Sequence, residues 1–111
     1  MEERWDLLIV LDACRYDYFR EHHGEFLWGD LSRRRSLGSS TNEWCRNNFS
    51  SRYDDTVYIS ANPHISSMID VKGFCGGEHF LKVVDLWHSD WDEELGTVPP
   101  ADVTKAAIGA I

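Results

Sequence analysis

A chain of 111 residues that is 42% hydrophobic and 13% aromatic has enough apolar surface to close a core within one domain, which excludes disordered and fibrous classes. Nineteen acidic residues against eleven basic ones leave a net charge of -8, which repels a phosphate backbone and argues against a nucleic-acid partner. The opening MEERWDLLIV places acids before a short apolar run, the wrong form for a signal peptide or a membrane span, so a cytoplasmic protein is expected.

The first element in chain order is Asp6 to Asp12, DLLIVLD, an apolar run closed by an acid, as expected of a strand buried on both faces of a parallel sheet. Asp12 then stands at its carboxyl end. From Arg15 to His23, Tyr16 and Phe19 recur among charged residues at helical spacing, which predicts a short amphipathic helix stopped by Gly24. Residues 25 to 38 have no periodicity and are expected to be mostly loop, with room for a short strand before Gly38. Arg33, Arg34 and Arg35 within it could steer an anion or could simply be a solvated loop.

Ser40-Thr41-Asn42-Glu43 is a capping box and opens a helix to about Phe49, which leaves Ser39 at a helix N-terminus. Asp55 to Ser60, DTVYIS, is rich in β-branched and aromatic residues and predicts a buried strand, with Asn62-Pro63 as the turn beyond it. Residues 65 to 77 form a connection with one helical turn expected near Ser66 to Ile69, and Lys82 to Trp87 predicts a further strand. Pro99-Pro100-Ala101-Asp102 begins a final helix, proline being tolerated in the first turn, with Val103, Ala107 and Ile108 as its apolar stripe. Strands alternating with helices predict an α/β fold, a mainly parallel sheet flanked by helices. So few strands leave open edges, and self-association through them is possible.

Ligands of parallel α/β sheets bind at the edge shared by strand carboxyl ends and helix N-termini. Asp12 there supplies a hard oxygen for a metal, and Ser39 sits where free amides and the helix dipole favour a phosphate or sulfate. Together they suggest a metal-activated serine attacking an oxyanion ester. The plainer alternative is that Asp12 caps a turn and Ser39 helps to cap a helix. Arg15 could contact an oxyanion or pair with Asp17 or Glu21, and Asn62 falls on the same edge as a candidate substrate contact. The three cysteines, Cys14, Cys45 and Cys75, imply no disulfide framework, and His22, His23, His64, His79 and His88 have no zinc-like spacing. Trp87 and Trp91 beside Asp90, Asp92, Glu93 and Glu94 resemble an aromatic anchor next to a solvated turn more than a carbohydrate platform.

The ordered segments WDLLIVLDACRYD, RSLGSSTNEW, DDTVYISANP and VVDLWHSDWDEELGTVPPADVT resemble archaeal sulfatase-like proteins of the alkaline phosphatase superfamily over nearly the whole chain. The resemblance implies an alkaline-phosphatase-like fold and a metal-dependent hydrolase or transferase acting on small-molecule phosphate or sulfate esters. It implies a divalent metal, Zn, Mn, Mg or Ca, held by Asp12 and Ser39, with Ser39 also the nucleophile because it precedes Glu43 by the superfamily's four-residue spacing. Ser40 and Thr41 stay as rivals for that role. Asp12-Ala13 replaces the paired aspartates of many sulfatases, and Ser39-Ser40-Thr41-Asn42-Glu43 replaces their Cys/Ser-x-Pro-x-Arg motif, so formylglycine chemistry is not expected. The superfamily's remaining Asp and His ligands come from a later half, so residues 1 to 111 are expected to form the N-terminal part of one such domain and to turn over little alone. The alternative of a different class is a non-catalytic domain that keeps the fold and serves as a binding or assembly partner.

Overall fold

The computed structural model describes residues 4–11, 14–68 and 74–111. The chain divides into two compact units, Met1–Ser36 and Leu37–Ile111. In the first, the expected helix forms as α1, Tyr16–His22, and runs into a single 3₁₀ turn, His23–Glu25, so that the chain tightens through Gly24 rather than stopping before it. Tyr16 and Phe19 are its half-buried residues, and Phe19 stacks on His23 with ring centroids 5.3 Å apart. The strand expected over Asp6–Asp12 does not form in the described residues 6–11. Leu7, Ile9 and Leu11 are 62%, 68% and 56% exposed, and no residue of the run pairs in a sheet. An apolar run becomes a buried strand only with a ladder on its edges and a layer on each face, and this unit supplies neither among its described residues. Asp12 itself lies outside the described residues.

The second unit holds the sheet. Helix α2, Thr41–Asn48, begins where the capping box places it, with Ser40 extended at the N-cap and its hydroxyl accepting from the Glu43 amide at 3.3 Å. Ser40→Ala is expected to cost about 1 kcal/mol, checked by the shift in urea midpoint at unchanged slope. Strand β1, Tyr53–Ser60, follows, and the connection after it includes helix α3, Gly76–His79. Strand β2, Phe80–Asp85, pairs with β1 in parallel, in the register Tyr58↔Val83, Ile59↔Val84 and Ser60↔Asp85. The result is a small α/β arrangement, a two-strand parallel sheet flanked by helices.

Three expectations shift within it. β2 starts and ends two residues before the expected Lys82–Trp87, because Leu86–Ser89 closes into helix α4 at the strand's carboxyl end. β1 is half-buried rather than buried, its fully covered residue being Ser60 at 1% exposure. Ser66 to Met68 are not helical, and Ile69 lies outside the described residues; the helical turn falls instead at Gly76-Gly77. Glycine is a poor helix former, but a Cβ on Gly76 would stand 3.0 Å from the Ser66 carbonyl oxygen, so close backbone approach selects glycine there.

The core gathers on Phe49, immediately after α2. Its ring lies 5.0 Å from Phe80, 5.6 Å from Trp44 and 5.7 Å from Tyr53, all near-perpendicular, the edge-to-face arrangement that aromatic quadrupoles prefer. Cys45, Ile65, Phe74, Val83, Leu86 and Val98 complete the buried apolar set. The final helix, α5, Pro100–Ala110, has proline at its first position as expected and packs on β1. Val103 and Ala107 are half-buried, whereas Ile108 is exposed. No helix among the described residues is long and apolar enough to cross a membrane.

Candidate functional site

The carboxyl ends of β1 and β2 and the start of α2 carry the polar groups of the second unit. Ser60 ends β1, and its hydroxyl organises the next turn: it is shared between the carbonyls of Asn62 at 2.8 Å and Ile65 at 2.6 Å, and it accepts from the Asn62 amide at 3.3 Å. The Asn62 side-chain oxygen accepts from the His64 amide at 2.9 Å, a local turn that asparagine makes readily. The Asn62 side-chain amide has no partner among the described residues, leaving two N–H donors for an external acceptor.

His64 ties this turn to α2. Its Nδ1 lies 3.0 Å from the Oδ1 of Asn42, a residue in the first turn of α2 that is 5% exposed. An amide oxygen only accepts, so in this contact the imidazole donates from Nδ1. The Asn42–His64 contact therefore brings the helix start that carries Ser39 beside the loop that carries Asn62.

Ser39 is exposed, and its hydroxyl donates to the Glu43 carboxylate at 3.3 Å. The backbone before it is held down: the Asn47 side-chain amide donates to the Leu37 carbonyl, and Gly38 lies against the backbone of Glu43 and Trp44. Glu43 thus serves α2 twice, through its amide to Ser40 and its carboxylate to Ser39. Of the rival hydroxyls, Ser40 is occupied as the cap.

Asp85 at the end of β2 was not singled out by sequence reasoning. Its carboxylate accepts from the Ser67 amide at 3.0 Å, from the indole nitrogen of Trp87 at 3.1 Å, and from the Ser67 hydroxyl. The signal was present, since VVD has the same strand-then-acid form that drew attention to Asp12. His64 was passed over as one histidine among five, and its role depends on Asn42, 22 residues away.

Arg15, in the first unit, pairs with Asp17 at 2.7 Å and lies over the Tyr18 ring at 5.2 Å, the intrahelical alternative to an oxyanion contact. Among the described residues no group of three or more His, Cys, Asp or Glu side chains converges as a metal site. None of the three cysteines forms a disulfide: Cys14 is exposed, Cys45 buried and Cys75 between. The acidic turn at 90–96 is closed by Asp92, whose carboxylate accepts from the amides of Glu94 at 2.9 Å and Leu95 at 3.0 Å, a solvated turn as expected.

No protein-family model, no curated protein and no solved structure matches the chain.

Proposed function

We propose that this chain carries part of the active site of a cytoplasmic, alkaline-phosphatase-like metallohydrolase or transferase acting on small phosphate or sulfate esters, with Ser39 as nucleophile. The observation that carries the reading is the Ser39–Glu43 hydrogen bond beside a cap already filled by Ser40. A hydroxyl that donates to a carboxylate has a proton acceptor at hand, and a serine nucleophile requires one. Attack would join the Ser39 oxygen to phosphorus or sulfur and break that atom's bond to the ester oxygen, which leaves as an alkoxide and takes a proton from water. Glu43 takes the serine proton, and water or another acceptor then releases the group from Ser39. Asn62 contributes its two free amide hydrogens to the ester's oxyanion, and His64 fixes the loop on which Asn62 sits.

A serine oxygen is a hard donor of the kind that Mg, Mn, Ca and Zn accept, so Ser39 fits as a ligand; Asp12, the second ligand that the resemblance implies, lies outside the described residues. Two such donors are fewer than any of these ions takes, so a metal requires further ligands. When bound, the ion supplies Lewis acidity that favours the ionised serine. The edges of the two-strand sheet, unpaired among the described residues, are where self-association would take place.

The native gene product is assayed for hydrolysis of aryl phosphates and aryl sulfates with each divalent metal. Ser39→Ala is expected to abolish metal-dependent turnover while leaving stability nearly unchanged, because the hydroxyl is exposed and caps nothing. Turnover that survives Ser39→Ala removes the nucleophile assignment, and a native protein inert with every metal favours the non-catalytic binding domain.

A further inference from the structure

Among the described residues, two arginines of the first unit stand without an ionic partner. The guanidinium carbon of Arg33 lies 5.3 Å from the centroid of the Tyr16 ring, and that of Arg20 lies 5.9 Å from the same centroid. Among the described residues, neither guanidinium has any hydrogen bond or ion pair. The one carboxylate beside them, Asp17, is taken by Arg15 at 2.7 Å. Arg15, Tyr16, Asp17, Arg20 and Arg33 together line an open hollow of about 470 Å³. Within a protein of net charge -8, two cations are thus held at one ring with no carboxylate of the described residues paired to either.

We infer that this hollow is a binding site for a tetrahedral oxyanion, a phosphate or sulfate group, gripped by Arg20 and Arg33. The guanidinium is planar and presents its donors as a fork that matches the oxygens of such a group in pairs. The Tyr16 ring supports both cations through its face and leaves their N–H groups for the ligand. An anion seated there also relieves the repulsion between like charges drawn to one ring. The volume admits the oxyanion together with a small ester group. The site uses none of Ser39, Glu43 or Asn62 and is independent of the function proposed above.

The full chain, free of added metal and at low ionic strength to limit screening, is titrated with inorganic phosphate and with phenyl phosphate. Binding is followed by the NMR resonances of the arginine Nε–H groups and of the Tyr16 ring. Saturable shifts at Arg20, Arg33 and Tyr16 are expected. The R20Q/R33Q pair is expected to weaken binding by about tenfold or more, since each arginine contributes charge-assisted hydrogen bonds. The R35Q/R46Q pair removes the same charge from residues that do not line the hollow and should bind like the parent. Tighter inorganic phosphate assigns the site to a free anion, and tighter phenyl phosphate assigns it to an ester. All four arginines are exposed, so these variants are expected to keep the parent's far-UV circular dichroism. Equal weakening in R35Q/R46Q, retained affinity in R20Q/R33Q, or no saturable shift in the parent each overturns the site.

Discussion

Phe49→Ala is expected to destabilise the Leu37–Ile111 unit by about 3–5 kcal/mol, the cost typical of emptying a buried aromatic position. The ring is 2% exposed and meets Trp44, Tyr53, Tyr58, Phe74 and Phe80, so it joins α2, both strands and the connection between them. Each neighbour is a large ring, and Tyr53, Tyr58, Phe74 and Phe80 each make a further ring contact, so the surroundings relax only partly into the space. Against a total of about 5–15 kcal/mol for an ordinary domain, such a loss leaves the variant near unfolding. Guanidinium denaturation followed by tryptophan fluorescence measures it, and Phe49→Leu, which keeps most of the volume, should recover a large part. A loss below about 1 kcal/mol, within the range of a tolerated core exchange, would show that the unit's stability does not rest on this cluster.

Gly38→Ala is expected to have the second largest effect, about 1–3 kcal/mol, in the range of overpacking. A Cβ at Gly38 would overlap the Trp44 nitrogen and stand 2.7 Å from its Cα and 2.8 Å from the Glu43 carbonyl carbon. These are helix backbone atoms with no rotamer to change, so the 37–39 segment must lift away from α2. Lifting it breaks the Asn47–Leu37 hydrogen bond and draws Ser39 from Glu43, so the substitution should also remove whatever chemistry Ser39 performs. Gly29→Ala is the control, because nothing lies within 4 Å of a Cβ there. Urea midpoints for the two variants separate the outcomes: equal stability would mean that the close approach of Gly38 to α2 does not hold in solution.

What the sequence made legible was local. The α2 start could be read because the Ser40 hydroxyl accepts from the Glu43 amide within one turn, and the start of α5 because Pro100 has no amide to lose. β1 was legible from the β-branched and aromatic side chains of TVYI. Leu7–Leu11 misled because hydrophobicity reports a preference for burial and not the presence of a partner to bury against. α3 was hidden because Gly76-Gly77 opposes a helix locally, and tertiary packing against Ser66 and Ser67 overrides that preference.

The candidate site divides in the same way. Ser39 and Glu43 are one helical turn apart, so their contact follows from spacing alone. The contacts of Asn42 with His64 and of Asp85 with Ser67 span 22 and 18 residues, and no local rule announces them. Asn62 was found from its position after a strand, and its free amide hydrogens became visible only once its oxygen was seen to be used by His64. That Arg20 and Arg33 have no ion pair among the described residues was equally beyond reach, since the sequence shows charges without showing which of them are matched.

The parallel register of β1 and β2 also bears on how the chain reaches this state. Tyr58 meets Val83 only after the intervening chain has gone out and returned, so the sheet cannot zip from a hairpin and must wait for a loop to close. α2 and Phe49 are contiguous with β1 and can organise early, while β2 arrives late. Until it does, the inner edge of β1 is bare, and the interval before closure is when two chains would most readily pair with each other instead of with themselves.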